Sequence, residues 1–132
     1  EMNLEVIPTS YILIDGGKMT SVAYVSQTTP IPRENSSISL KTGIAGYLMG
    51  QKLTYFDAGS GALQSVPPQL ILELKKKINS PVIVGGGIRS IGQIESYRHV
   101  GANVIVIGNK IEENIDFLLD IAAYQKSSLR VD

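Results

Sequence analysis

The chain has 132 residues, of which 43% are hydrophobic and 18% charged; this is about one ordinary domain, with enough apolar mass for a packed core, and it excludes a disordered segment. Twelve basic residues balance twelve acidic ones, so the basic excess of a nucleic-acid binder is missing. There is no cysteine, only one histidine (His99), and no apolar run of the length of a membrane span; disulfide scaffolds, thiolate or multi-histidine metal sites and a membrane helix are set aside.

The opening Glu1-Met2-Asn3-Leu4-Glu5-Val6-Ile7 turns almost at once strand-like, which leads us to expect further residues upstream. It does not read as a signal peptide, and a cytoplasmic location is expected. Leu4–Ile7 and Ser10–Asp15 read as extended, interrupted by Pro8. Asp15-Gly16-Gly17-Lys18 is a turn signal, and Met19–Thr28 is rich in Val, Tyr and Thr; together they predict a β-hairpin. Thr29-Pro30-Ile31-Pro32 forbids regular structure. A helix is predicted over Ser36–Met49, with Leu40, Ile44, Tyr47 and Leu48 on one face and Gly50 just past its end.

Leu53–Asp57 is a short strand, followed by the flexible loop Ala58-Gly59-Ser60-Gly61-Ala62. Pro68 suits a first helical turn, and Leu70, Ile71, Leu74 and Ile78 share a buried face. Val82-Ile83-Val84 is a buried strand ended by Gly85-Gly86-Gly87. Ser90 and Gln93 form a capping box for a helix reaching about Val100. Asn103–Ile107 is predicted as another buried strand, ended by Gly108-Asn109, and Ile115, Leu118, Leu119 and Ala122 mark one last helix. Apolar strands alternating with amphipathic helices define an α/β fold with a parallel sheet. Four βα units are counted; a full (β/α)8 barrel has eight, in about 250 residues.

In such a barrel the functional face lies at the C-terminal ends of the strands. Three loops take that position: Asp57–Gly61, Gly85–Arg89 and Gly108–Glu112. Glycine lets the backbone approach an anion closely, and a helix opening near Ser90 offers unpaired N–H groups and a positive dipole end. Gly108-Asn109 repeats the arrangement one unit later, and a phosphate between the last two strands is a recurrent barrel feature. The same glycines also serve as tight βα turns. Asp57 closes its strand at the barrel mouth, where a carboxylate accepts a substrate proton, hydrogen-bonds a hydroxyl, or caps its own turn. Arg89 could hold an anion or pair with a carboxylate. His99, Lys75-Lys76-Lys77, Asp116 and Asp120 read as solvated positions.

Tyr55-Phe56-Asp57-Ala58-Gly59-Ser60-Gly61-Ala62, Pro81-Val82-Ile83-Val84-Gly85-Gly86-Gly87-Ile88-Arg89-Ser90 and Ile107-Gly108-Asn109, with Ile7-Pro8-Thr9-Ser10-Tyr11-Ile12-Leu13 and Thr29-Pro30-Ile31-Pro32, resemble the geranylgeranylglyceryl phosphate synthase family over nearly the whole chain. The Ala-Gly-Ser-Gly-Ala form is similar to the branch shared by archaea and some bacteria. The resemblance implies a modified (β/α)8 barrel, of which residues 1–132 would be the C-terminal half of the single domain. It implies transfer of a polyprenyl (geranylgeranyl) group from its diphosphate to the 3-hydroxyl of sn-glycerol 1-phosphate, giving an ether lipid precursor.

By the same resemblance Tyr55, Phe56, Asp57, Ala58, Gly59, Ser60, Gly61, Gly85, Gly86, Gly87, Gly108 and Asn109 would bind glycerol 1-phosphate. Asp57 would be the catalytic group and Tyr11 would line the prenyl groove, with Tyr47 and Tyr55 as further candidate liners. The family usually has Glu at Asp57, one methylene longer, and Gly at Ser10. Its Mg²⁺ ligands lie in the first half of the barrel, so no metal ligand is expected in this chain and a companion N-terminal half would supply them. A homo-oligomer is implied, and peripheral membrane proximity through the lipid product. Two alternatives remain: another phosphate-binding barrel enzyme, of the sugar-phosphate isomerase or indole-glycerol-phosphate synthase type, and a non-catalytic phosphate-binding assembly module.

Overall fold

A computed structural model describes residues 3–128; Glu1 and Met2 of the strand-like opening lie outside the described residues. Four strands, β1 (Thr9–Leu13), β2 (Leu53–Asp57), β3 (Val82–Gly85) and β4 (Val104–Val106), form one sheet in the order β1-β2-β3-β4. All neighbours are parallel. The helices are α1 (Ser21–Ser26), α2 (Ser36–Leu48), α3 (Pro68–Lys75), α4 (Ile91–His99), α5 (Asn109–Glu113) and α6 (Asp116–Ser128). The fold is α/β, four successive βα units of a (β/α)8 barrel.

Strand alternation divides the sheet into two faces. Ile12, Ile14, Phe56, Val82 and Val84 point toward the helices and are buried against Leu70, Ile71, Leu74, Ile94, Tyr97 and Phe117. The face of α3 is as expected, and Pro68 is in its first turn. The Ser90 half of the Ser90–Gln93 box forms: Ser90 Oγ accepts from Gln93 N (3.3 Å), while Gln93 Oε1 accepts from Arg89 N (2.7 Å), one residue before the cap. Helix α2 packs differently from its predicted face. Its buried residues are Ser39 and Gly43, with Leu40 and Ile44 half-buried and Tyr47 and Leu48 exposed. Small residues win because the helix lies close on the sheet: a Cβ at Gly46 would fall 1.8 Å from Ser10 Oγ.

Three further expectations are corrected. The hairpin does not form, and Leu4–Ile7 is not a strand. The β-rich run instead begins the short helix α1, whose N-cap Thr20 accepts from Ala23 N at 3.4 Å. The edge that a returning strand would have used is taken at Ile14 by Ile31, in the parallel sense, through Ile31 N→Leu13 O and Asp15 N→Ile31 O, both 2.9 Å. Strand β4 is not buried on both faces: Val104 and Val106 are 49% and 42% exposed on the concave side, because β4 is a sheet edge without cover there. The last helix forms as α6, and the short helix α5 precedes it. Asn114 separates them, and Ile115, Leu118 and Leu119 face outward while Phe117 packs in.

Candidate functional site

The C-terminal ends of the strands meet in register. Leu13 is level with Asp57, Asp57 with Gly85, and Gly85 with Val106. The three loops that follow β2, β3 and β4 converge there on a pocket of about 150 Å³, room for a group several waters in size. Its lining includes Tyr55, Asp57, Ser60, Gly61, Gly86, Gly87, Gly108 and Asn109, together with Ile88, Arg89, Val106 and Ile107.

Alternation explains which expected residues are absent. Tyr55 and Asp57 face the concave side, whereas Phe56 and Ala58 point into the helix-covered core and are fully buried. Gly59 and Gly85 do not line the pocket either; they are spacers. A Cβ at Gly85 would sit 2.6 Å from the Tyr55 hydroxyl, so Gly85 gives that ring its place. Tyr47 lies on α2 outside the pocket, exposed.

One side chain ties two of the loops. Asn109 Oδ1 accepts from Ser60 Oγ (2.9 Å) and from Gly61 N (2.6 Å). The Gly61 amide only donates, so the Asn109 oxygen, not its nitrogen, must face it. The N–H groups of Gly87 and Gly108, two residues of the pocket lining, have no acceptor among the described residues. The glycines are not equivalent. Gly86 has φ +84° and a Cβ there would meet the Gly59 backbone at 2.6 Å; a Cβ at Gly108 would meet nothing within 4 Å.

Asp57 is held from two directions. Gly59 N–H donates to its Oδ1 at 2.8 Å, and the Tyr11 hydroxyl donates to its Oδ2. The β1–β2 register puts Tyr11 beside Tyr55, their rings edge to face at 5.0 Å. Burial of the Tyr55 hydroxyl, helped by the Asp57 charge, pushes its pKa up to about 12. The Tyr11 hydroxyl is raised further, by burial first and then by its hydrogen bond to Asp57. Both phenols therefore stay protonated donors across the neutral range. The Tyr11–Asp57 contact was not legible from spacing; it needs the strand register. The rest of the Tyr11 ring opens onto the uncovered concave face, with the residue 47% exposed.

No group of three His, Asp or Glu side chains gathers among the described residues. The pocket lining itself holds a single carboxylate, Asp57. No helix among them is long and apolar enough to cross a membrane. His99, Asp116 and Asp120 are exposed, and Lys75 instead bonds Ser80 O at 3.1 Å.

A parallel βα array with a glycine-walled pocket at its strand ends is the construction of barrel enzymes that act on that face. The chain belongs to the PcrB family, whose model matches residues 1–126. It is 42% identical over 119 residues to the geranylgeranylglyceryl phosphate synthase of Chitinophaga pinensis, covering 90% of this chain and 47% of that protein. The synthase of the same name from Korarchaeum cryptofilum is 38% identical, at 91% and 49% coverage. Among solved structures it is similar to the (S)-3-O-geranylgeranylglyceryl phosphate synthase of Thermoplasma acidophilum in complex with its substrate sn-glycerol-1-phosphate. There the TM-score is 0.79 at 34% identity, covering 87% of this chain and 46% of that one. The chain thus spans about half the length of the curated relatives it matches.

Proposed function

We propose that the chain is the C-terminal half of a prenyltransferase barrel and carries its sn-glycerol 1-phosphate site. The observation that carries this reading is the convergence of the Tyr55–Gly61, Gly86–Gly87 and Gly108–Asn109 segments on one pocket. The relative solved with sn-glycerol-1-phosphate, at 34% identity, supports it. The unpaired N–H groups of Gly87 and Gly108 receive the phosphate, with Arg89 at the same wall; their contribution is positioning. Asp57, steadied by Tyr11 and Gly59, keeps further lone pairs for the 3-hydroxyl of the glycerol. As the hydroxyl oxygen bonds to the allylic carbon, the carbon–oxygen bond to diphosphate breaks, diphosphate leaves with the electron pair, and the proton passes to Asp57.

The open concave face and the outer edges of β1 and β4, the first bridged by Ile31 only at its C-terminal end, are where a companion N-terminal half closes the barrel, since an exposed edge and a half-covered sheet invite pairing. A Mg²⁺ ion held by that half would supply charge neutralisation for the diphosphate. The exposed ring of Tyr11 lies toward the prenyl chain. Cytoplasmic residence, homo-oligomerisation and proximity to the membrane through the lipid product belong to the same reading. The test is to join the chain to the N-terminal half of the Chitinophaga pinensis relative and measure geranylgeranyl transfer to sn-glycerol 1-phosphate. Product is expected. A folded hybrid that makes none with any polyprenyl diphosphate, while the intact relative turns over, rejects the enzyme; glycerol 1-phosphate binding without turnover indicates the non-catalytic module instead.

A further inference from the structure

The segment before α1 is fixed to the pocket's own loop. Gly16 O accepts from Leu63 N (2.9 Å) and Gln64 N (3.1 Å). Gly17 N donates to Asp15 Oδ1 at 2.8 Å. Buried Thr20 packs against Gly59, where a Cβ would come within 2.3 Å of its Cγ2. The backbone of Lys18 is therefore anchored on both sides, and its side chain crosses to Gly61. The position a Gly61 side chain would take is 2.8 Å from Lys18 Nζ and 3.6 Å from Asn109 Nδ2.

Two donors thus face a notch that only glycine leaves empty. Asn109 Oδ1 is committed to Ser60 and Gly61, while Nδ2 lies beside the same notch, 3.6 Å from the Gly61 side-chain position. Among the described residues, no hydrogen bond uses Asn109 Nδ2 or Lys18 Nζ. Lys18 itself is exposed, so the fold does not need its charge. An ammonium and an amide N–H pair around one small space match the tetrahedral oxygens of a phosphoryl group.

We infer that Lys18 is a further substrate-binding residue, which with Asn109 holds a phosphoryl group over Gly61. The inference rests on the phosphate-binding reading of the pocket. The phosphoryl oxygens could belong to the phosphate of glycerol 1-phosphate or to the diphosphate of the prenyl donor, and the chemistry of the contact is the same.

The full chain, labelled with ¹⁵N, is titrated with sn-glycerol 1-phosphate and separately with inorganic pyrophosphate, following the amides of Gly87, Gly108 and Gly61. Lys18→Gln is expected to weaken at least one ligand about tenfold, the size of one charge-assisted hydrogen bond, and Lys18→Arg to restore most of it. Added salt should weaken the wild-type complex more steeply than the Lys18→Gln complex. Loss confined to glycerol 1-phosphate assigns Lys18 to the acceptor's phosphate, and loss confined to pyrophosphate assigns it to the leaving group. Wild-type binding that Lys18→Gln leaves unchanged for both ligands overturns the role of Lys18 while the pocket stands. Absence of wild-type binding to either ligand overturns the pocket and this inference together.

Discussion

The loop after β3 and the loop after β4 look alike in sequence, yet their glycines do different things. Gly86 is demanded by the fold: its φ is positive and its missing side chain lets the Gly59 backbone lie against it. Gly108 is demanded by nothing inside the chain. Its φ of −122° is negative, and the space beyond its Cα is empty. The contrast separates a glycine kept for construction from one that suits the proposed ligand. A turn explanation covers Gly86 without help from a ligand; it leaves Gly108 unexplained.

Substitution of each glycine tests the contrast. Gly86→Ala should have the largest effect, about 3 kcal/mol of lost stability, because the clash is with backbone and the conformation is strained; urea unfolding reads it. Gly108→Ala should leave stability within about 0.5 kcal/mol while weakening glycerol 1-phosphate about tenfold by calorimetry, since the added methyl enters the ligand's space. Stability loss at Gly108 matching that at Gly86 would erase the distinction. Asn109→Ala should cost about 1 kcal/mol, the usual net value of a lost hydrogen bond, and should speed hydrogen exchange at Gly61 N–H.

The smallest effect concerns the phenols beside the pocket. The folded pKa of Tyr55 (about 12) and that of Tyr11 lie above the unfolded value of 10. Between those values the native state binds more protons, so their contribution to stability is full below pH 10 and lost as pH rises through 12. Ultraviolet titration should show two late phenols. Asp57→Asn should lower both without returning them to 10, because burial is the larger cause in each.

Much of this was legible before any coordinates. The four strands, Pro68, the Ser90 half of the Ser90–Gln93 box and the three loop positions follow from continuous apolar runs and their punctuation. Strand alternation alone separates Phe56 and Ala58 from Tyr55 and Asp57, since neighbours along a strand point to opposite faces; the motif as a block spans both. Other features were not legible. The partner of Asp57 depends on the β1–β2 register, and the approach of Lys18 to Gly61 depends on how two connections pack. Helix α1 wins over β propensity because Ile31 occupies the edge beside Ile14. The outward face of α6 is opposite Phe117, Ile121 and Tyr124, which pack against the core.

The Asn109 carboxamide has a dynamic consequence. It joins residues 48 and 49 positions apart in sequence, across two loops that grow from different strands. Their fluctuations are thereby coupled: the Ser60–Gly61 loop cannot lift until that oxygen lets go. A ligand that engages the Asn109 amide nitrogen stiffens both segments at once, so occupancy on the β4 side registers as slowed motion on the β2 side.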